Sequence, residues 1–141
     1  MAWVAVDRVI QSAEQFGLDG PLEAWRTLRK RIHEDVCRHG YDNNLGTFVQ
    51  SYSSKKLDAG LLLIPLVDFL SPQDARMHGT VTAIERHLML DGLVRRYEAD
   101  EGRAGISRDG LFLFCSFWLT DNYVLQGRLD DARRLLERHR R

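Results

Sequence analysis

Cysteine is scarce in this chain, and neither sign of charge is in excess. The 141 residues contain two cysteines, Cys37 and Cys115, whose separation fits no zinc or redox motif. The 20 Lys and Arg residues balance 20 Asp and Glu residues, so the formal net charge is zero. Nucleic acids and anionic membranes are bound largely through excess positive charge, and we expect neither as a partner. Two free thiols are typical of a reducing compartment and favour a cytoplasmic location.

Long apolar runs and clustered metal ligands are also missing. The two most apolar stretches, residues 59–70 and 111–119, are shorter than the roughly 20 residues that a membrane-spanning helix needs. The first residues do not follow the basic-then-apolar order of a signal peptide, so we expect no cleaved leader. The five histidines are scattered and do not pair at metal-binding spacing. We therefore expect no metal and no cofactor.

Helical periodicity dominates what the sequence does contain. The apolar spacing predicts helices over residues 2–16, 21–39, 58–70, 72–89, 110–126 and 129–141. Pro65 should kink the third helix, and Ser71 should cap the fourth. Alternating patterns predict two short strands, at residues 47–52 and 93–97, in the loops between helix pairs.

The helices form an internal repeat. Three times, an apolar helix is followed by a tight turn and a charged, amphipathic helix, with a period of about 55 residues. The amphipathic helices share an acidic residue followed by Ala, at Glu23-Ala24, Asp74-Ala75 and Asp131-Ala132. This pattern predicts an all-α fold in which helical hairpins pack apolar inner helices against each other. We expect three hairpins in one domain over residues 1–141.

Several strings of residues, in order along the chain, resemble glycoside hydrolase family 15. They begin with AWVAVDR at residues 2–8 and continue at 48–52, 57–66, 80–85, 91–97 and 114–119. The family includes glucoamylases, glucodextranases and some trehalases. The resemblance implies about half of an (α/α)6 toroid with two strand-bearing loops, taken from an exo-acting, inverting hydrolase of α-glucosidic bonds. The substrate implied is an α-glucoside or oligosaccharide, and the process is carbohydrate metabolism.

The resemblance also implies that both catalytic carboxylates lie outside these residues. An inverting hydrolase needs an acid and a base roughly 6.5–9.5 Å apart, with room for water between them. The family's acid string precedes the helix that starts here at Met1, and its base string follows the helix that ends here at Arg141. We therefore expect an internal fragment with no catalytic residue and no activity of its own. Glu98, Asp100 and Glu101 of the second loop are interpreted as solvated charges, and an acid–base pair among them is the alternative.

Arg96 is the strongest candidate for contact with sugar. It matches the family's Arg-Tyr string beside the terminal-sugar subsite, and its guanidinium can donate paired hydrogen bonds to adjacent hydroxyls. A surface arginine in a short strand is the alternative. Strand alternation predicts that Arg95 faces the other way.

Four further residues are candidates for the same site. Gln50 and Tyr52 are predicted to share a strand face with Phe48, and a packing cluster in a hairpin is the alternative. Asp58 either accepts a hydrogen bond from a sugar hydroxyl or caps the helix that follows it. Phe112 begins an inner helix and is a candidate for the pocket mouth. The three tryptophans, Trp3, Trp25 and Trp118, are interpreted as core residues.

Two other functions remain open at this stage. One is a non-catalytic helical-hairpin module that binds protein or carbohydrate, and the other is a trehalase-type member of the same family. Three hairpins also leave two flanks of a toroid uncovered, and large uncovered apolar patches drive association. We therefore expect a homodimer that forms through the open flanks.

Overall fold

The computed structural model describes residues 1–98 and 113–138 as helices joined by short connections and two small strand pairs. The elements form two compact units, Met1–Gly40 and Tyr41–Arg141. The prediction of an all-α protein with two strand-bearing loops is confirmed. Among the described residues, no helix combines the length and apolar character that a membrane crossing requires.

The first unit is a hairpin of two helices, α1 (Ala2–Phe16) and α2 (Leu22–His39). Gly17 ends α1 in the left-handed conformation, with φ at 62°, a conformation that glycine adopts without a steric penalty. Asp7 of α1 is buried and accepts a hydrogen bond of 2.7 Å from Nη1 of Arg29 in α2. No residue of α2 is fully buried, so its predicted apolar stripe is only partly covered.

The second unit begins with an antiparallel pair, β1 (Tyr41–Asp42) and β2 (Thr47–Phe48). The carboxylate of Asp42 accepts hydrogen bonds from two backbone N–H groups of the turn, and Gly46 completes the turn with φ at 65°. The predicted strand at 47–52 is therefore wrong in length. The chain leaves the ladder after Phe48 and enters a turn, in which Ser53 has a positive φ of 63°.

The third predicted helix is interrupted. A 3-10 turn, η1 (Ala59–Leu62), is followed by a single α-helical turn, α3 (Leu63–Leu66). Pro65 has no N–H to donate to the preceding turn, and Asp68 takes a left-handed φ of 63° shortly after it. A continuous helix over residues 58–70 is therefore excluded, although Asp58 does cap the segment as predicted.

The next helix, α4 (Ala75–His87), starts later than the sequence predicts. Ser71 forms a local turn by accepting a hydrogen bond from the N–H of Gln73. Asp74 is the residue that caps α4, through a hydrogen bond of 2.9 Å from the N–H of Arg76. The acidic member of the repeated acidic-Ala pair therefore has a capping role in this helix.

A second antiparallel pair, β3 (Met89–Leu90) and β4 (Leu93–Val94), follows α4. Asp91 and Gly92 both have positive φ, as a two-residue loop of type I′ requires. The N–H of Val94 donates to the buried hydroxyl of Ser116 at 2.9 Å. The strand predicted at 93–97 is shorter than expected because the ladder ends at Val94, after which Tyr97 forms an isolated bridge with Asp58.

Two helices close the second unit, α5 (Leu113–Leu125) and α6 (Leu129–Arg138). Helix α5 packs against α6, β4, η1 and α3, and residues of α4, α5 and α6 share one apolar cluster. The buried members of this cluster are Leu57, Ala59, Leu62, Val81, Ile84, Leu88, Val94, Cys115, Leu119, Tyr123, Ala132 and Leu135. Trp118 is only half-buried, and it packs against the cluster from outside, which corrects its interpretation as a core residue.

Candidate functional site

An arginine–aspartate pair forms the centre of the candidate site. Nε of Arg96 lies 2.9 Å from Oδ1 of Asp58, and Nη2 of Arg96 donates to Oδ2 of Asp58 at 3.2 Å. The Asp58 side chain is 14% exposed and that of Arg96 is 29% exposed. Two parallel contacts between a guanidinium and a carboxylate fix the orientation of the guanidinium plane.

The backbone brings the two residues together. The N–H of Ala59 donates to the carbonyl oxygen of Arg96 at 2.9 Å, beside the bridge between Asp58 and Tyr97. Asp58 is also the N-cap of η1, because its Oδ1 accepts a hydrogen bond of 2.6 Å from the N–H of Gly60. These contacts fix the position of the segment at the start of η1 relative to the segment that follows β4.

Aromatic rings surround the Arg96 guanidinium. Its central carbon lies 5.4 Å from the ring centre of Tyr97 and 5.6 Å from that of Trp118. Burial lowers the pKa of Arg96, but its contacts with Tyr97 and Asp58 outweigh this effect and raise the pKa overall. Arg96 is therefore a permanent cation held against two aromatic rings.

The guanidinium lines an open cavity of about 290 Å³. The cavity wall is mainly aromatic and is formed by Arg96, Tyr97, Phe114, Cys115 and Trp118. Burial raises the pKa of the Cys115 thiol, and the nearby Arg96 offsets this only in part. The cavity therefore presents one cation, a neutral thiol and apolar ring surfaces.

A second open cavity of about 330 Å³ shares one wall with the first. Tyr97 lines both cavities, and the remaining walls of the second are Gln50, Lys56, Leu57 and Glu98. The N–H of Gln50 donates to the carbonyl oxygen of Lys56 at 3.0 Å, which closes the turn between them. The two cavities together combine ring surfaces with donors and acceptors, a combination that suits polyhydroxylated ligands.

Comparison with known proteins identifies the family of the chain. The profile of Glycosyl hydrolases family 15 matches residues 1–141. The chain belongs to glycosyl hydrolase family 15. Among similar proteins, the trehalase of Mycobacterium tuberculosis is 43% identical over 98% of this chain and 20% of its own length. The trehalase of Thermoplasma volcanium is 38% identical over 97% of this chain and 22% of its own.

Solved glycosidase structures share the fold. One glycosidase aligns with 84% of this chain and 31% of its own, with a TM-score of 0.70 and 26% identity. A variant of a glycosidase in complex with glucose aligns over the same shares with a TM-score of 0.71. These structures confirm the expected fold class of a partial (α/α)6 toroid. The chain spans about a fifth of the length of the curated relatives and about a third of the structures.

The structure brings together some of the predicted site residues of this family 15 chain. Arg96 and Asp58 are in direct contact, and Gln50 is exposed at the second cavity. Gln50 and Tyr52 both lie beyond β2 and are exposed, whereas Phe48 is 1% exposed, so the predicted strand face shared by the three residues is wrong. Phe112 lies outside the described residues.

Sequence reasoning missed Tyr97, Phe114 and three further residues around Arg96. Trp118 and Cys115 stand three positions apart on α5, a spacing that places them on one helix face, and both line the first cavity. Gly60 is the third, because a β-carbon there would lie 2.9 Å from Oδ1 of Asp58 and 3.0 Å from Nη2 of Arg96. The helical spacing of Cys115 and Trp118 was visible in the sequence, whereas the crowding at Gly60 depends on a contact between distant segments.

The described residues contain few other side chains that could act as catalytic acids, catalytic bases or metal ligands. Glu98 is exposed beside the second cavity, while Asp100 and Glu101 lie outside the described residues. Within the described part of the chain, no group of three or more His, Cys, Asp or Glu side chains is arranged to hold a metal ion. The candidate site is therefore a binding site built from a cation, an amide and aromatic rings.

Proposed function

We propose that this chain forms one wall of the sugar-binding cleft in an exo-acting, inverting glycosidase that hydrolyses α-glucosidic bonds. Both compact units would belong to one (α/α)6 domain, as the match of the family profile to both of them supports. Arg96 would bind the hydroxyls of the terminal sugar, with Gln50 and Asp58 close to it. Tyr52 and Phe112 remain candidates for the rim of the same cleft. The free cysteines, Cys37 and Cys115, support a cytoplasmic location.

The observation that supports this function most is the fixed, ring-flanked guanidinium in the first cavity. An arginine has five N–H donors, and the pair with Asp58 engages two of its nitrogens. Beside its contacts with Tyr97 and Cys115, the guanidinium can donate to hydroxyls of a pyranose, while the rings of Tyr97 and Trp118 suit the apolar face of the sugar. Ligand pockets for drug-sized molecules occupy about 300–1,000 Å³, so a cavity of about 290 Å³ suits a single sugar ring.

Trehalose is the first substrate to test. The similar proteins named above are trehalases, and the identity of 38–43% extends over nearly all of this chain. This similarity favours a trehalase over a starch-type glucoamylase within the same family. Hydrolysis would require an acid and a base on opposite faces of the sugar, and we assign neither among the described residues. We therefore expect the 141-residue chain alone to hydrolyse neither trehalose nor maltose.

The adjacent arginines provide a matched test. The residue aligned with Arg96 is changed to Ala in the Mycobacterium tuberculosis trehalase, and the residue aligned with Arg95 is changed to Ala as the control. Loss of charged hydrogen bonds to the substrate should lower kcat/KM for trehalose by about 10–100-fold for the first variant, and by less than about threefold for the second. Equal, mild losses from both substitutions would remove Arg96 from the site. Parallel assays with maltose show whether the loss depends on the substrate.

We also propose a homodimer through apolar side chains that the second unit leaves exposed. Phe117 and Val124 of α5 are 39% and 50% exposed, and Leu129 and Leu136 of α6 are 52% and 41% exposed. Burial of such side chains stabilises association at roughly 25 cal/mol per Å².

A further inference from the structure

Both oxygens of the Asp58 carboxylate are engaged by groups of this chain. Oδ1 accepts the N–H of Gly60 at 2.6 Å and contacts Nε of Arg96 at 2.9 Å, while Oδ2 accepts from Nη2 of Arg96 at 3.2 Å. Among the described residues that line the two cavities, Arg96 and Leu57 are present and Asp58 is not. Asp58 is therefore held by its own chain behind the cavity walls, which favours a role through Arg96 over a direct hydrogen bond to a sugar hydroxyl.

Gly60 leaves the space that this arrangement needs. A β-carbon at Gly60 would lie 2.9 Å from Oδ1 of Asp58 and 3.0 Å from Nη2 of Arg96. Any side chain at position 60 would push the carboxylate or the guanidinium away from its present place. Asp58, Arg96 and Gly60 are thus closely packed together, and the guanidinium of Arg96 has little freedom to rotate.

We propose that Asp58 and Gly60 are positioning residues that fix the guanidinium of Arg96 for sugar binding. This inference rests on the proposed function and adds a division of roles: Arg96 touches the sugar, whereas Asp58 acts only through Arg96. Asp58 engages Nε and one edge of Nη2, and a sugar would bind the remaining N–H groups beside the contacts that the guanidinium makes with Tyr97 and Cys115. Because the guanidinium is already ordered, less conformational entropy is lost when the sugar binds.

The chain contains a matched control for this role. Asp74 also caps a helical segment through the N–H two residues later, and it also pairs with an arginine, with Nε and Nη2 of Arg76 at 3.0 and 2.7 Å. Asn caps helices about as well as Asp, so Asp58→Asn and Asp74→Asn should each keep the cap and weaken the ion pair. The two variants therefore have the same local structure, but Asp58→Asn weakens the ion pair of Arg96 and Asp74→Asn weakens that of Arg76.

The experiment measures the glucose affinity and the Arg96 Nε–H signal of the 141-residue chain by NMR. Asp58→Asn should weaken glucose binding by about five- to tenfold and speed hydrogen exchange of the Arg96 Nε–H by about tenfold. Gly60→Ala should have the same two effects. Asp74→Asn should leave both readouts unchanged, with a melting temperature close to that of Asp58→Asn.

A double-mutant cycle separates positioning from direct binding. If Asp58 acts through Arg96, Asp58→Asn should change glucose affinity less than about twofold in an Arg96→Ala background. Additive losses, or an Arg96 Nε–H that exchanges at the same rate with and without the carboxylate, would overturn the positioning role. If Arg96→Ala alone leaves glucose affinity unchanged, the proposed function itself fails, and the exchange rates still decide whether Asp58 orders the guanidinium.

Discussion

The two units of the chain are stabilised in different ways. In the first, Met1–Gly40, the fully buried side chains are Asp7, Ile10 and Ala13 of α1, and Asp7 forms an ion pair with Arg29 of α2. In the second, twelve buried residues from several segments form one apolar cluster, and all residues of the candidate site belong to that unit. The stability of the first unit depends on the packing of two helices adjacent in sequence and on a buried charge. The stability of the second unit depends on contacts between segments that are distant in sequence.

This difference explains where the sequence is informative. A hairpin of adjacent helices is encoded by local signals, and both α1 and α2 have the bounds that periodicity predicts, to within a residue or two. A site assembled from η1, the chain after β4 and α5 depends on packing that no local pattern records. This contrast can be tested by experiments whose expected effects decrease from self-association to the pH dependence of one carboxylate.

Self-association should depend on the second unit. We expect the chain to dimerise with a dissociation constant on the order of micromolar, equivalent to about 8 kcal/mol. Phe117→Glu, which places a charge on α5, should give a monomer in light scattering, whereas Leu28→Glu, on the exposed part of α2, should not. A monomeric wild-type chain with a cooperative melt would contradict the prediction.

Core truncation should distinguish the units next. Leu119 is 0% exposed in the cluster, and Leu28 is 44% exposed on α2. Leu119→Ala should lower the free energy of unfolding by about 3–5 kcal/mol through the cavity it leaves, and Leu28→Ala by less than about 1 kcal/mol. Urea unfolding of both variants measures this, and equal losses would show that the second unit does not depend on its cluster.

The buried charge of the first unit should matter more than its apolar surface. Asp7 is 3% exposed and accepts hydrogen bonds from Arg8, Gln11 and Arg29. Asp7→Ala should therefore destabilise the chain by about 1–3 kcal/mol, more than Leu28→Ala. Urea unfolding of Asp7→Ala and Leu28→Ala compares their free energies of unfolding. A larger loss for Leu28→Ala would show that apolar surface matters more than the buried charge in this unit.

Acid should weaken the second unit through its capping carboxylate. Hydrogen bonds from Arg76 lower the pKa of Asp74, so the folded state favours the charged carboxylate. The stabilisation is therefore complete above the unfolded-state pKa of about 3.9 and is lost as the pH falls through the lower folded-state pKa. Asp74→Asn should cost about 0.5–1 kcal/mol at pH 6 and progressively less towards pH 2.5. A constant difference across this range would contradict the assignment.

Much of the fold could be predicted from the sequence, and the exceptions have physical causes. The α1, α2 and α6 helices follow from local periodicity, and the Asp91-Gly92 turn follows from its residue types. The helix predicted over 58–70 was wrong because Pro65 and the left-handed Asp68 break it. The strand predicted at 47–52 is too long because only Thr47 and Phe48 pair with β1 before the chain turns away.

The candidate site could be predicted only in part. The family string identified Arg96, and the position before an apolar run identified Asp58 as a cap. Their contact joins residues 38 positions apart, and no local pattern indicates it. The apolar residues on its helix face predict a core position for Trp118, yet Trp118 is only half-buried and lines the cavity beside Arg96.

A sugar titration of the 141-residue chain tests the central claim most directly. The indole N–H signal of Trp118 is followed by NMR as D-glucose is added, with L-glucose as the control for non-specific effects. We predict a saturable shift for D-glucose, with a dissociation constant on the order of millimolar and a loss of that shift in Arg96→Ala. A Trp118 signal that does not move, or that moves equally for both sugars or equally in Arg96→Ala, would contradict the account.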